Sequence, residues 1–327
     1  MTRRDFALLL GAAAVARPRV LAQAQAPARP AIKTQSLNHV AFYASDVQRT
    51  ADWYQRTFGM PVQFRQETGG RVAVLRLGPG PEFIAVYPAN GAKPGFKHMG
   101  FGVQNFSRPA IDQALAAHGV KAEWSLRKAP GGDVEELLVR DPDSLVVQVQ
   151  DVKYAGGGGR LGDAWPQPWT MPPQDARPPV AARAVNHVTF GSASKERAER
   201  FYRDLFALPL LSWDYRPAEP SKILGVGSGS PRQFIAPGQG RNVGVSHYCL
   251  GIEGFSREQV TRALGERGIQ YRPSTGSSGC CGANVVYSPD ETVFGLTDPD
   301  GFSVQLTDVD YCAGTGPLGT VCIPGNR

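Results

Sequence analysis

Two histidines stand in nearly identical segments of this chain, and they are the residues that point most directly to chemistry. "SLNHVAF" at residues 36–42 places His39 in the same context as His187 in "AVNHVTF" at residues 184–190. An imidazole can bind a metal ion or exchange a proton near neutral pH. A single histidine in an apolar strand is usually a packed core residue, but one that recurs in the same context indicates a site that the chain carries twice.

The repeat extends well beyond these two segments. "KHMGFGVQNFSR", which contains His98, matches "SHYCLGIEGFSR", which contains His247, and "DPDSLVVQVQD" matches "DPDGFSVQLTD". The distance between matching residues grows slowly along the chain, as insertions in loops between fixed elements would make it. The sequence therefore predicts a tandem duplication, in which further matched pairs are Tyr54 and Tyr202, Phe58 and Phe206, and Pro61 and Pro209.

Each copy is predicted to contain two similar halves, and each half to contain a strand, a helix and three strands. In the first half, "LNHVAFYA" predicts a strand, Asp46 caps the helix "VQRTADWYQRTF", and Gly59 ends it. "PVQFRQ", "RVAVLRLG" and "EFIAVYP" predict the three strands. The second half repeats this order from "HMGFGVQ", with Ser107 capping a helix that ends at Gly119, and then "VKAEWSLRK", "VEELLVR" and "LVVQVQD". The order predicts an α+β fold.

The copies predict two domains, residues 36–152 and 184–309, each large enough to bury its own core. Between them, residues 153–183 are rich in glycine and proline, which predicts a linker without regular structure. Residues 310–327 predict an irregular C-terminal tail.

Repeated βαβββ units, a histidine in the opening strand, a "WYQRTFGMP" helix end and a closing "DPDG" turn resemble the vicinal oxygen chelate superfamily. That superfamily includes glyoxalase I, bleomycin-resistance proteins and extradiol dioxygenases. The resemblance covers residues 36–152 and 184–309, and it implies four βαβββ units forming two tandem domains. It does not imply one reaction, because the fold supports several chemistries.

The resemblance also implies a set of metal ligands. In the superfamily, two units form a cup that holds a divalent metal through two histidines and a glutamate. Carried over to this chain, the positions are His39, His98 and Gln148 in the first domain and His187, His247 and Gln305 in the second. Iron, manganese and zinc are the candidate ions, and glutamine stands where the carboxylate is expected in both domains. A neutral amide leaves the cation's charge less compensated, so we expect weak metal binding.

Two branches of the superfamily are not matched in detail. The position of a fourth ligand in glyoxalase I-like sites is occupied by Ala85 and Ala236. The catalytic histidine that extradiol dioxygenases carry shortly before the "DPDG" turn is absent, although Tyr287 is present there. By strand alternation, Tyr43 faces the same cup as His39 and is a candidate substrate-binding residue, with Gly191 as its counterpart.

Composition excludes some partners. The chain has 327 residues, of which 42% are hydrophobic and 20% charged, as in globular proteins. The formal net charge is +6, and the first 26 residues contribute about half of it. Lysine and arginine do not cluster with aromatic residues, so we do not expect nucleic acid as a partner. A small molecule is the expected ligand, and the oligomeric state is left open.

Residues 1–26 have the composition of an export signal. Arg3 and Arg4 precede an apolar stretch, and small residues fitting an A-x-A cleavage site follow near Ala22 to Ala24. The paired arginines resemble the twin-arginine signal of bacteria. Arg17 and Arg19 interrupt the apolar run well short of the roughly 20 residues of a membrane span. We expect a cleaved signal, a periplasmic or secreted protein and no stable membrane span.

All five cysteines lie in the second half of the chain. In an oxidising compartment, Cys312 and Cys322 could form a disulfide in the tail, and Cys280 and Cys281 could instead pair with that tail. Cys249 lies in an apolar strand and is expected to be a buried free thiol. No C-x-x-C pair is present, so a structural zinc site of the usual kind is not expected.

Two functions remain open from the sequence. The first is a divalent-metal-dependent lyase, isomerase or oxygenase acting on a small oxygen-rich molecule, which the twofold His/His/Gln set favours. The second is a metal-free protein that sequesters a small molecule in its cup, as bleomycin-resistance proteins do, which the two glutamines favour. A scaffold without a working site is a third.

Overall fold

The computed structural model describes residues 30–66, 72–127, 132–157, 178, 180–213, 221–227, 233–240, 242–269, 271–273, 294–309 and 311. The expected export signal, most of the linker, Tyr287 and nearly all of the C-terminal tail lie outside these residues, as do Cys280, Cys281, Cys312 and Cys322. Cys249 is buried, as predicted. Among the described residues, no helix is long and apolar enough to cross a membrane.

The chain forms sixteen strands and four helices within the described ranges. In the first half of the chain they are β1 Thr34–Ala44, α1 Val47–Phe58, β2 Val62–Gln66, β3 Val72–Arg76, β4 Phe83–Pro88, β5 Gly95–Val103, α2 Arg108–Ala117, β6 Glu123–Arg127, β7 Val134–Arg140 and β8 Val146–Asp151. In the second half they are β9 Ala182–Ser192, α3 Lys195–Phe206, β10 Leu210–Trp213, β11 Ser221–Val226, β12 Gln233–Gln239, β13 Gly244–Ile252, α4 Arg257–Glu266, β14 Tyr271–Pro273, β15 Phe294–Thr297 and β16 Ser303–Asp308.

Each half of the chain forms one eight-stranded sheet, and both sheets have the same strand order. The first runs β2-β3-β4-β1-β5-β8-β7-β6, and the second runs β10-β11-β12-β9-β13-β16-β15-β14. The opening strands of the two units, β1 and β5, are antiparallel neighbours, and each pairs in parallel with the last strand of one unit. The predicted α+β class is confirmed, and the two equivalent sheets are what the sequence repeat predicts.

The residues at its two ends set the boundaries of the first helix. The side chain of Asp46 accepts a hydrogen bond from Arg49 N at 3.1 Å, and Gly59 ends the helix with a left-handed φ of 67°. The cap predicted for α2 differs, because Ser107 has the extended N-cap backbone but its side chain makes no capping hydrogen bond. That helix ends at Ala117, and Gly119 follows it with a φ of 66°.

The two faces of the first sheet carry different side chains. In β1, Val40 and Phe42 pack into the main hydrophobic core, which also contains the buried face of α1. His39, Ala41 and Tyr43 alternate with them and lie on the opposite face. We call this face of the first sheet the first cup, and the equivalent face of the second sheet the second cup; around Ala41, the first cup is lined by Val74, Phe83 and Ala85.

Reciprocal contacts join the two halves. Tyr54 on α1 contacts Tyr248 and donates to Asp298 Oδ2 at 3.2 Å, and Asp298 opens the "DPDG" turn of the other half. In the same way, Tyr202 on α3 donates to Asp141 Oδ2 at 3.0 Å. The repeated tyrosines and aspartates of the sequence thus form the contact between halves, and a single hydrophobic core extends across it.

A second contact joins the strands that carry the histidines. Gln233 on β12 accepts a hydrogen bond from Leu37 N at 2.8 Å and donates to the carbonyl oxygens of Leu37 and Val185. Glu82 accepts from Val185 N at 2.7 Å and from Gln233 Nε2 at 3.2 Å. Glu82 and Gln233 occupy equivalent positions, because Phe83 and Phe234 pair with His39 and His187. These contacts hold β1 and β9 in a defined relative position.

Candidate functional site

The first predicted trio comes together in the first cup. His39, His98 and Gln148 lie on the adjacent strands β1, β5 and β8 and are at most 3% exposed. His39 Nε2 lies 3.0 Å from Gln148 Oε1 and 3.1 Å from His98 Nε2. The three polar side chains therefore converge within an otherwise apolar wall.

The hydrogen bonds of Asn38 determine which nitrogen of His39 carries the proton. Asn38 Nδ2 donates to the carbonyl oxygen of Tyr154 at 3.0 Å, so Asn38 Oδ1 faces His39 Nδ1, 2.8 Å away, as an acceptor. His39 Nδ1–H donates to it, and the lone pair lies on Nε2. Burial lowers the pKa of His39 to about 3, so the ring is neutral at physiological pH. Burial, followed by the nearby His39, also lowers the pKa of His98.

Gly100 makes room for His39. A Cβ on Gly100 would lie 1.9 Å from His39 Cε1, well inside van der Waals contact.

Replacing Gly100 by alanine is therefore expected to displace the His39 ring and break its hydrogen bond to Asn38. The cost in unfolding free energy is on the order of 1–3 kcal/mol, as for other overpacked cores. Urea unfolding measures it, with Gly95→Ala on the same strand as the control, because a Cβ there meets no atom within 4 Å. Equal stabilities of the two variants would contradict the expectation.

The mouth of the first cup is lined by charged and aromatic residues. Lys97 Nζ lies 4.6 Å from the centre of the Tyr87 ring and 5.9 Å from that of Tyr43. Arg127 donates from Nε to Glu136 at 2.5 Å and from Nη2 to the Tyr154 hydroxyl at 2.6 Å. Tyr43, the candidate substrate-binding residue, is 37% exposed at this mouth.

The second predicted trio comes together in the second cup. His187 Nε2 lies 3.3 Å from His247 Nε2, and the side chain of Gln305 is within hydrogen-bonding reach of His187. His187 Nδ1 lies 2.8 Å from Asn186 Oδ1. Because Asn186 Nδ2 donates to Tyr311 O at 2.9 Å, Asn186 Oδ1 is again the acceptor, and the His187 lone pair again lies on Nε2.

His247 has a different neighbour from His98. Ser246 Oγ donates to the carbonyl oxygen of Thr189 at 3.1 Å and lies 3.2 Å from His247 Nδ1. With its one proton directed at Thr189 O, the hydroxyl accepts from His247 Nδ1–H, which leaves the His247 lone pair on Nε2. Burial lowers the pKa of His247 to about 3 and lowers that of His187 as well, the latter further through His247.

The two cups differ at their mouths. Where the first has the paired residues Tyr43 and Tyr87, the second has the paired residues Gly191 and Gly238. Ser246 replaces Lys97 in front of the histidine. A Cβ on Gly191 would lie 2.0 Å from Asn242 O, so backbone fills the space that the Tyr43 side chain uses in the first cup.

Sequence reasoning did not identify several residues of these cups. Asn38 and Asn186 recur in the repeated "NHV" segments, and that recurrence could have marked them as partners of the histidines. Arg127 and Glu136 come from the outer strands β6 and β7 and carry no comparable signal. Ala85 and Ala236 lie on the cup strands as expected and supply no donor atom.

The donor atoms fit a divalent metal in type and spacing. Adjacent ligand atoms lie about 3.0 Å apart around an octahedral ion with bonds of about 2.1 Å, and about 3.4 Å apart around a tetrahedral one. The histidine nitrogens are 3.1 Å apart in the first cup and 3.3 Å apart in the second. Within the described part of the chain, no group of three His, Cys, Asp or Glu side chains could hold a metal ion, so a metal in either cup would need the glutamine amide oxygen as its third protein donor.

Three solved structures share the fold at low identity. The substrate complex of homoprotocatechuate 2,3-dioxygenase from Brevibacterium fuscum with 3,4-dihydroxyphenylacetate has 16% identity and a TM-score of 0.62, over 90% of this chain and 86% of that one. The 2,3-dioxygenase LapB from Pseudomonas sp. KL28 has 14% identity and a TM-score of 0.58, over 86% and 93%. The Mn(II)-bound glyoxalase from Novosphingobium aromaticivorans has 15% identity and a TM-score of 0.59, over 86% and 84%.

No curated protein matches the chain. A family model does match, over residues 36–149, and its description is Glyoxalase/Bleomycin resistance protein/Dioxygenase superfamily. This range holds the first cup with His39, His98 and Gln148. Residues 36–149 therefore form a domain of the glyoxalase/bleomycin resistance protein/dioxygenase superfamily.

Proposed function

We propose that this protein is a divalent-metal-dependent enzyme of the dioxygenase or glyoxalase type, and that the second cup holds the metal through His187, His247 and Gln305. The observation that carries the proposal is the pair of imidazole nitrogens in that cup. His187 Nε2 and His247 Nε2 are 3.3 Å apart, and the partners of both Nδ1 atoms make both Nε2 atoms lone-pair donors.

Two lone pairs that face each other at this distance repel unless a positive species lies between them. A proton is disfavoured there, because burial keeps both rings neutral. A divalent cation satisfies both nitrogens at once, and the bonds from Nδ1–H to Asn186 and Ser246 orient the rings for it. Such partners of ligating histidines commonly fix the tautomer and ring orientation in metal sites.

In the first cup, the two histidines can form a hydrogen bond with each other, so they do not need a metal between them. Lys97 Nζ lies 3.5 Å from His98 Nδ1 and can only donate to it, so the proton of neutral His98 lies on Nε2. That N–H donates to His39 Nε2 at 3.1 Å. The positive charge of Lys97, which lies beside His98, also opposes a cation in this cup. We therefore assign the metal to the second of the two predicted trios.

When bound, a divalent metal supplies Lewis-acid activation of neighbouring oxygen atoms on a small molecule. The residues of the chain set the charge of the site. The neutral Gln305 leaves both charges of the cation uncompensated, which favours an anionic or readily deprotonated substrate. Since one structural neighbour was solved with 3,4-dihydroxyphenylacetate and another with Mn(II), catechols with Mn²⁺ or Fe²⁺ are the first combinations to test.

Metal titration of the full chain tests this assignment. Calorimetry with Mn²⁺, Zn²⁺ and, anaerobically, Fe²⁺ is expected to show one site per chain. His247→Ala is expected to lower its affinity at least tenfold, and the matched first-cup variant His98→Ala to leave it unchanged. If His98→Ala lowered the affinity and His247→Ala did not, the metal would be assigned to His39, His98 and Gln148 instead.

The second candidate function is metal-free capture of a small molecule. The specific observation in its favour is glutamine in both trios, because an amide that turned its N–H groups toward the imidazoles would satisfy them without a metal. Absence of metal binding in both the wild-type protein and Gln305→Glu would favour this function.

We also propose that residues 1–26 direct export to the periplasm or beyond and are then removed. The paired Arg3 and Arg4 and the small residues near Ala24 support this. Sequencing the N-terminus of the mature protein decides it, since an intact Met1 would exclude cleavage.

A further inference from the structure

We propose that the first cup is a second, metal-independent binding site, which takes a small planar organic anion such as an aromatic carboxylate, with Lys97 as its counter-ion. This goes beyond the proposed function, since it assigns a ligand to the cup without the metal. It stands whether or not the second cup binds a cation.

The first observation is an unpaired cation. The Lys97 side chain is partly buried at the mouth of the cup, and its ammonium group lies 3.5 Å from His98 Nδ1, a neutral group. Among the described residues, no carboxylate lies within ion-pair distance of its ammonium group. A partly buried charge without a counter-ion is costly, and a bound anion removes that cost.

The second observation concerns Glu136, a carboxylate near Lys97. Glu136 is bound to Arg127 at 2.5 Å, and both side chains are only 17% exposed. Arg127 is further held by the Tyr154 hydroxyl at 2.6 Å and by Gly156 O at 3.3 Å. Because these bonds commit Glu136 to Arg127, the positive charge of Lys97 remains directed at the cup.

The third observation is the shape of the walls. Tyr43 and Tyr87 stand beside the ammonium group with their ring centres 6.3 Å apart, and Tyr43 is accessible to solvent. Deeper in the cup, Phe83 stacks on His39 with the ring centres 4.2 Å apart. Aromatic walls with a cation at the mouth suit a flat ligand that carries its charge at one end.

The second cup offers an internal comparison. At the positions of Tyr43, Tyr87 and Lys97 it has Gly191, Gly238 and Ser246, and its described residues place neither aromatic rings nor a cation at these three positions. The proposed anion site is therefore specific to the first cup, which separates it from a carboxylate that binds to a metal in the second.

Calorimetry with two probes of the same shape tests the proposal. Sodium benzoate and neutral benzamide are titrated into the full chain in the presence of EDTA, so that no metal contributes. The wild-type protein is expected to bind benzoate at least about tenfold more tightly than benzamide. This is the difference in affinity that a hydrogen bond to a charged group usually makes. Equal affinities, or no benzoate binding at millimolar concentration, would overturn the proposal.

Variants locate the site. Lys97→Met keeps the length of the side chain, and it is expected to lower benzoate affinity at least tenfold and leave benzamide affinity unchanged. Lys97→Arg retains the charge and is expected to retain binding, and Lys93→Met, at an exposed lysine on the preceding loop, is the matched control. His247→Ala is expected to bind benzoate as the wild-type protein does. Loss of binding in His247→Ala but not in Lys97→Met would place the anion in the second cup and refute the proposal.

Discussion

At pH 9, the Glu82→Gln variant is expected to be more stable toward unfolding than the wild-type protein by several kcal/mol. Glu82 is buried between the two halves, where it accepts hydrogen bonds from Val185 N and Gln233 Nε2 and, among the described residues, forms no ion pair. Burial raises the pKa of its carboxyl group from 4.5 to about 8. Glutamine is compatible with this environment, because Gln233 fills the equivalent position.

The direction in which stability changes with pH follows from proton uptake on folding. Between pH 4.5 and about 8, the folded state holds a proton on Glu82 that the unfolded state has released. Its contribution to stability is therefore complete below pH 4.5 and is lost as the pH rises through 8. At about 1.4 kcal/mol per pKa unit, the loss is on the order of 3–5 kcal/mol.

Urea unfolding of the wild-type protein and Glu82→Gln at pH 5, 7 and 9 measures this difference. The two curves of unfolding free energy against pH are expected to diverge as the pH rises. Glu258→Gln, on the exposed surface of α4, is the control and is expected to follow the wild-type curve. Parallel curves for Glu82→Gln would show that Glu82 does not take up a proton on folding.

Replacing Gln305 by glutamate is expected to raise the metal affinity of the second cup at least tenfold. The carboxylate compensates one charge of the cation and completes a set of two histidines and one carboxylate, which suits iron and manganese. Without metal the same change is expected to lower stability, because a partly buried carboxylate lacks a partner.

Calorimetry with Mn²⁺ and Zn²⁺ and thermal unfolding with and without metal measure the two opposite effects. The double variant Gln305→Glu, His247→Ala is the control, since a carboxylate that acts as a ligand needs the histidine beside it. A gain in affinity that persists in the double variant would mean that the new carboxylate binds metal elsewhere.

Local signals in the sequence determined much of the fold. The first helix begins and ends where Asp46 and Gly59 predict, because capping depends on residues within one turn of the helix. The strand predicted from His98 begins earlier, at Gly95, because its ladder with β1 continues to Tyr43. The side-chain cap predicted for Ser107 does not form. The repeat itself predicts that His39, His98, His187 and His247 lie on equivalent strands.

Only the tertiary structure decided how the two cups differ. The charges at the first cup come from Lys97, Arg127 and Glu136 on three strands, and two of these are outer strands far from β5 in the sheet order. The pairing of Glu82 with Gln233 and of Tyr54 with Asp298 joins residues more than 150 positions apart. Sequence periodicity predicts which face of its strand a residue occupies. The curvature of the sheet and the packing of one half on the other determine which of these faces contact each other.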